Sequence, residues 1–381
     1  MRLFEIKYNK FKPLNEGARI DHAEDIIFWE GSRGAMRALE ALKSMEQNGH
    51  QETTVKWDGS PAVIFGRDEN GEFIFTDKSG FGKKGGVGRT KSPEELQDEL
   101  LGRSGGKNRD NPDRIAFAQK MGEAFTDFEK AVPKDYRGFF KGDLLYYTTP
   151  PKQNGAYVFK PNIVEYSVAA NSELGQRIGA SKAGIVIHRE VNEEGVEGPL
   201  QNANIFQGRD VLVVPSITVE RPADVDNQEL AQLESIIKQN AAGIDELLNQ
   251  ETLKQQQMTD FANILYTYTN SKVDTGLQNL GGDFAKWLEN NSKISDKKKA
   301  KILEYIKTHM TAWTALWNTV SSLMKVKDDI IRQFDAHDAT VKASIPGHGQ
   351  GGEGYVLAHP EGDIKLVPRE FFTKANRAVE R

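Results

Sequence analysis

Thr54-Val55-Lys56-Trp57-Asp58-Gly59-Ser60-Pro61-Ala62-Val63-Ile64-Phe65 is the stretch whose reading decides how the rest of the chain is organised. On an extended segment residues 56 and 58 point to the same side, so an ammonium and a carboxylate would face one space. Asp58-Gly59 is a tight-turn dipeptide, and Gly59 allows close approach of backbone to a ligand. Ala62 to Phe65 then reads as an apolar strand. Two readings stand side by side. One is an ordinary hairpin with a solvated lysine; the other is a lysine positioned as a nucleophile by its neighbours.

The full chain has 381 residues, a formal net charge of −5, 38% hydrophobic and 28% charged residues, and no cysteine. That length suits two domains, each able to bury a core. The absence of cysteine excludes disulfides, thiolate nucleophiles and cysteine-ligated zinc. An acidic balance announces no global nucleic-acid surface, so any basic groove has to be local. No apolar run is long enough to span a membrane, and the N-terminus lacks the apolar core of a signal peptide, so a cytoplasmic protein is expected.

Outward from the opening stretch, Ile26-Ile27-Phe28-Trp29 reads as a strand, and Ala35, Leu39, Leu42 and Met45 as a helix after Gly31-Ser32. Strands at 53–66 and 72–77 are joined by the hairpin signal Asp68-Glu69-Asn70-Gly71. Residues 78–91 carry five cations and five glycines, which suits either a plain connector or a lid over phosphates. A helix follows the Ser92-Pro93-Glu94-Glu95 start, and another covers about 113–131. Phe139 to Tyr147 reads as a buried strand with one carboxylate, Asp143. A charge there is costly unless something binds it or Gly142 makes a bulge. Further strands are expected at 156–160, 163–168, 183–189 and 210–214, with a short helix near 172–180.

Composition changes at Pro222. Residues 226–334 contain no proline and repeat apolar residues at helical spacing. Trp313 and Trp317 read as core, and the run Lys297-Lys298-Lys299 with Lys301 as a solvated face or, secondarily, a nucleic-acid contact. Sheet signals return in Glu353-Gly354-Tyr355-Val356 and Ile364-Lys365-Leu366. The expected architecture is α+β: a discontinuous antiparallel-sheet domain, 1–222 plus 340–381, with an all-α domain inserted at 223–339.

Five short motifs in this order, Lys56-x-Asp58-Gly59, Lys78-Ser79, Gly142-Asp143, Glu353-Gly354 and Ile364-Lys365-Leu366, resemble the covalent nucleotidyltransferase superfamily of ATP-dependent polynucleotide ligases and messenger-RNA capping enzymes. The resemblance implies an ATP-grasp-like ligase fold. It implies Lys56 as the nucleophile that forms a lysyl-AMP, with Asp58 and Lys365 completing the catalytic set. Lys78 would touch the nucleotide or the incoming 5′-phosphate, Asp143 the ribose, and Lys365 the α-phosphate. Thr54, Val55 and Gly59 would flank the nucleotide. ATP and Mg²⁺ (or Mn²⁺) would be the cofactors, with Glu353 and Asp143 as metal ligands. These groups are expected to share one pocket.

The sequence also departs from that pattern. Val367 stands where a second lysine is common, so Lys365 acts alone or Arg369 or Lys374 substitutes. The strand near 184–189 offers Ile187 and His188 in place of a stacking aromatic, with His188 able to serve. Thr54 replaces a frequent glutamate. Only 16 residues (381 − 365) follow Lys365, too few for the C-terminal domain of DNA ligases. The resemblance is therefore closest to bacteriophage-type RNA ligases, which implies RNA ends ahead of DNA ends as partners and action in a host cytoplasm. Alternatives are a DNA ligase without that domain, nucleotidyl transfer to another acceptor, and a non-catalytic nucleotide- or nucleic-acid-binding module.

Overall fold

A computed structural model describes residues 21–83, 86–202, 204–337 and 340–379. The N-terminal segment read above for a leader peptide and residues 84–85 of the basic loop lie outside the described residues. The protein is mixed α+β with mainly antiparallel sheets. Backbone contacts divide it into two units: 57–216 with 340–352, and 21–56 with 217–337 and 353–379.

The first unit holds two sheets. The larger runs in the order Glu197–Pro199, Ala183–Val191, Gly138–Tyr146, Ala62–Arg67, Phe73–Asp77, and Val211–Val213 pairs in parallel with Ala183–Val191. The Asp68–Gly71 turn closes as its composition predicts: the Gly71 N–H donates to the Asp68 carbonyl at 2.9 Å, and Gly71 takes φ +83°. One face of this sheet buries Phe65, Phe75 and Phe140 against Leu96, Phe125 and Phe128 from the helices Pro93–Gly102 and Pro112–Ala131. Both helices start as their sequences dictate. Ser92 and Asn111 accept hydrogen bonds from first-turn N–H groups, and proline fills the first position, where an N–H has no partner. The smaller sheet runs Gly349–Gln350, Val341–Ile345, Glu165–Ala169, Ala156–Phe159, Lys152–Gln153.

The basic loop is largely tied down. Lys83 pairs with Glu99, Lys91 with Glu72, and Arg89 with Glu193 while stacking over Phe81. Those partners favour the connector reading over a phosphate lid. Lys78 begins the short helix Lys78–Phe81 and is exposed.

In the second unit a four-stranded sheet, ordered Asp21–His22, Ile364–Leu366, Tyr355–Leu357, Thr53–Val55, shares one core with the helices. Leu357, Ile364 and Leu366 are buried in the same cluster as Leu39, Leu42, Leu233, Ile237, Leu316 and Val320. The helices therefore share a unit with this sheet; the unit boundaries fall after Lys56, Ser216 and Gly352, and between 337 and 340, where the end of the helical segment was expected. The reason is burial. A three-residue strand such as Tyr355–Leu357 has too little apolar area to stand alone, and the long helices supply it. Ile26–Trp29, expected as a strand, is the first turn of the helix Ile26–Ser44, which kinks at Gly31 (φ +63°). A short apolar run does not by itself distinguish the two conformations.

Trp313 and Trp317 are core residues, 4% and 3% exposed, and the Trp313 indole N–H donates to the Gly281 carbonyl at 3.1 Å. The lysine run is held locally: Lys298 on Asp260, Lys299 on the Glu289 carbonyl, Lys301 on the Gln256 carbonyl. Among the described residues no helix is long and apolar enough to cross a membrane.

Candidate active site

The four-stranded sheet has two unlike faces, and register shows which residues share each. His22 lies opposite Lys365, Lys365 opposite Val356, and Val356 opposite Thr54. Residues directly opposite one another in a sheet point to the same side. That row is half-buried, whereas the flanking rows, with Leu357, Ile364, Leu366 and Tyr355, face the helical core. Lys56 extends the same alternation two residues beyond Thr54, and its N–H donates to the Gly354 carbonyl at 2.9 Å. Its ammonium forms an ion pair with the Glu353 carboxylate; the side chains are 24% and 15% exposed.

Lys56, Glu353 and Lys365 are thus gathered in one unit from positions about three hundred residues apart along the sequence, two of them on adjoining rows of one polar face. Val55 points the other way, against the core, and its N–H donates to the Ile217 carbonyl. Its side chain is therefore not part of the polar face on which a nucleotide was expected.

His22 joins this face without any signal in the sequence having marked it. Its Nδ1 is shut off from solvent and has no hydrogen-bond partner. Desolvation holds the imidazole well below its ordinary pKa of 6.5, and the charges of Arg369, Lys327, Lys365 and Lys56 push it further down. Lys56 and Lys365 are thus both close enough to act on one imidazole. A neutral histidine adds no third positive charge to them.

Beneath the sheet's N-terminal edge lies a closed ionic network. Lys327 donates to Glu24 at 2.8 Å, Arg369 grips Asp25 with both terminal nitrogens, and all four side chains are 0% exposed. Burial pushes Asp25 up to about 6, against the pull of Arg369. Burial also acts to raise Glu24, but Lys327 and Arg369 outweigh it and hold that carboxyl below its ordinary value. Arg369 is consequently not the substitute for the missing second lysine: its guanidinium is consumed by Asp25 and Glu24.

The remaining expected site residues belong to the first unit. Asp58 is 5% exposed, and its carboxylate accepts from the Ile163 N–H at 2.8 Å, the Val164 N–H at 3.0 Å and the Asn162 side-chain amide at 2.9 Å. Its own N–H donates to the Tyr166 hydroxyl at 2.6 Å, and Trp57 packs on Tyr166 and Phe159. These contacts make Asp58 an anchor for its loop, which its spacing from Lys56 did not show. Gly59 is required for a close approach: a Cβ there would sit 2.5 Å from that of Asp143. Asp143 lies beside the register shift that Gly142 makes, where a Cβ would meet the Val186 carbonyl oxygen at 2.3 Å. Its Oδ2 is 2.9 Å from the His188 Nε2, and both side chains are partly exposed. The expected nucleotide-binding pair Asp143 and His188 is therefore brought together on neighbouring strands.

Hard oxygen donors suit Mg²⁺, and Glu353, one of the two expected ligands, is the carboxylate that pairs with the Lys56 ammonium. Asp143, the other expected ligand, carries the same donor type in the first unit.

No curated protein and no solved structure gives a match to this sequence. The model of one family, described as a family of unknown function (DUF6267), matches residues 18–381. That match takes in all but the first residues, and the chain belongs to the DUF6267 family.

Proposed function

We propose that the protein is an ATP-dependent nucleotidyltransferase of the polynucleotide-ligase type, acting on RNA ends, with Lys56 as its nucleophile. The observation that carries this reading is the polar sheet face that bears Lys56, Lys365 and Thr54, with Glu353 paired to Lys56. A surface lysine in a plain hairpin would need neither the carboxylate nor the second cation. The nucleotidyltransferase fold is part of the same proposal.

The chemistry follows from charge. The Lys56 Nζ lone pair attacks the α-phosphorus of ATP and a P–N bond forms. The bond to the bridging oxygen breaks, pyrophosphate leaves with that electron pair, and the Nζ proton is lost to solvent. Lys365 neutralises charge on the α-phosphate, an interaction that strengthens as the transition state develops. Mg²⁺, when bound, would be held by Glu353 and would shield the phosphates as they approach. AMP then passes to a 5′-phosphate, and attack by a 3′-hydroxyl seals the strand and releases AMP.

Incubation with α-³²P-ATP and Mg²⁺, followed by denaturing electrophoresis, tests the reading. A labelled protein band is expected, and Lys56→Ala should abolish it. A band of unchanged intensity in that variant removes Lys56 from the role of nucleophile.

A further inference from the structure

One groove in the first unit has no part in the chemistry above. It encloses about 640 Å³ between the helix Glu173–Gly179 and the strand Val211–Val213. That is within the roughly 300–1,000 Å³ typical of small-ligand sites. Val186, Ile187 and Phe206 help to make an apolar floor, and Arg177 and Arg209 line the same cavity.

The two arginines differ from Arg67, Arg89 and Arg103 of the same unit. Arg67 is satisfied by four carbonyls, Arg89 by Glu193, and Arg103 by Asp77 and Glu99. Arg177 and Arg209 have no acidic or carbonyl partner among the described residues, and Arg177 makes no ion pair with Glu173, one helical turn before it. A lone solvated arginine on a convex surface needs no explanation. Two of them over one apolar-floored concavity form a site for a ligand with an anionic part and a flat apolar part. A single carboxylate, Glu173, also lines the cavity, so the two guanidiniums leave it net positive.

Position narrows the class of ligand. Val186 pairs directly with Asp143 across the sheet, and His188 follows two residues later on the same strand and the same side. Val186 thus ties one wall of the groove to the strand that carries His188, although Asp143 and His188 do not themselves line it. We infer that this groove holds a nucleoside-phosphate unit, its phosphate between Arg177 and Arg209 and its base on the Ile187–Phe206 floor. Resting on the function proposed above, the unit belongs to the polynucleotide strand being joined; a free nucleotide has the same chemistry.

The test is fluorescence anisotropy of the full chain with a fluorescein-labelled oligouridylate, over a salt series, in parallel with self-labelling by α-³²P-ATP. Arg177→Gln/Arg209→Gln should weaken oligonucleotide binding at least about tenfold. It should also flatten the log–log salt slope by about 1.4, two single-strand phosphate contacts at roughly 0.7 each. Self-labelling should be unchanged, and Arg177→Lys/Arg209→Lys should recover most of the binding, which separates lost charge from lost folding. Competition by unlabelled AMP distinguishes the sources: displacement at nucleotide concentrations that match oligonucleotide affinity assigns the site to free nucleotide, and weak displacement assigns it to a strand. Oligonucleotide and AMP binding that are both absent in the wild type, or both unaffected by the double glutamine variant, overturn the groove assignment. Arginine-dependent binding without any self-labelling leaves the groove assignment standing and overturns the ligase reading instead.

Discussion

Two clusters of opposite charge lie in the second unit, and their surroundings give them different tasks. Glu24, Asp25, Lys327 and Arg369 are wholly buried, and each charge is matched inside the protein. Lys56 and Glu353 form a similar ion pair but are about a quarter and a seventh exposed, beside a second cation and a neutral imidazole. A sealed network holds chain segments together and offers nothing to a ligand. A partly exposed pair adds less to stability than a sealed one, and under the proposed function either partner exchanges its contact for a phosphate or a metal. The comparison teaches that ion pairs of the same chemistry differ in what they can offer a ligand by access, not by residue type.

The largest effect that can break this contrast is on stability. Arg369→Met leaves Asp25 and Glu24 as buried charges lacking one partner, so a loss of about 3–5 kcal/mol is expected in urea unfolding. Glu353→Gln should cost no more than about 1 kcal/mol in the same measurement. Equal losses for the two variants would erase the distinction between sealed and open pairs.

A mid-sized effect sharpens it within the Lys-Trp-Asp-Gly stretch. Asp58→Ala strips two buried backbone N–H groups of their acceptor, and about 1–3 kcal/mol of stability should be lost, read from thermal melts. The folded variant should still self-label with ATP at a temperature below its melt. Loss of labelling at undiminished stability would place Asp58 in the catalytic set.

The smallest effect is a pH dependence. His22 is held neutral in the folded protein, its pKa well below 6.5, whereas the unfolded chain takes up a proton near that value. Its contribution is complete above pH 6.5 and is lost as pH falls below it, by up to about 1.4 kcal/mol per pH unit. Asp25, raised to about 6 from 3.8, works in the opposite direction between those values. The comparison is therefore the wild type against His22→Asn from about pH 7.5 to about pH 5.5. The variant should lose less stability on acidification; parallel curves would show that His22 titrates freely.

Much of the fold could be read in the sequence where local chemistry decides it. The Asp68–Gly71 turn, the capped helices at Ser92 and Asn111, and the strand around Asp143 all follow from patterns a few residues long. The division into units could not be read that way. It depends on which core buries Tyr355–Leu357 and Ile364–Leu366, and those strands have the same alternation whether helices or a second sheet cover them. The same limit applies to the candidate site. The spacing of Lys56 and Asp58 suggested a shared space, but spacing is blind to the Ile163 and Val164 amides that take the Asp58 carboxylate. Arg369 carried a positive charge near the expected motif, and only its burial against Asp25 shows that the charge is already used. His22 gave no signal because a lone histidine near the start of a chain acquires its meaning from the strand it pairs with.

The central claim is that Lys56 bonds covalently to a nucleotide. The direct measurement is peptide mass spectrometry of the wild-type protein after exposure to ATP and Mg²⁺, under alkaline conditions that preserve a P–N bond. An AMP adduct is expected on the peptide that contains Lys56, and on that lysine. An adduct on Lys365 or another side chain, or a Lys56 peptide recovered wholly unmodified, would contradict it.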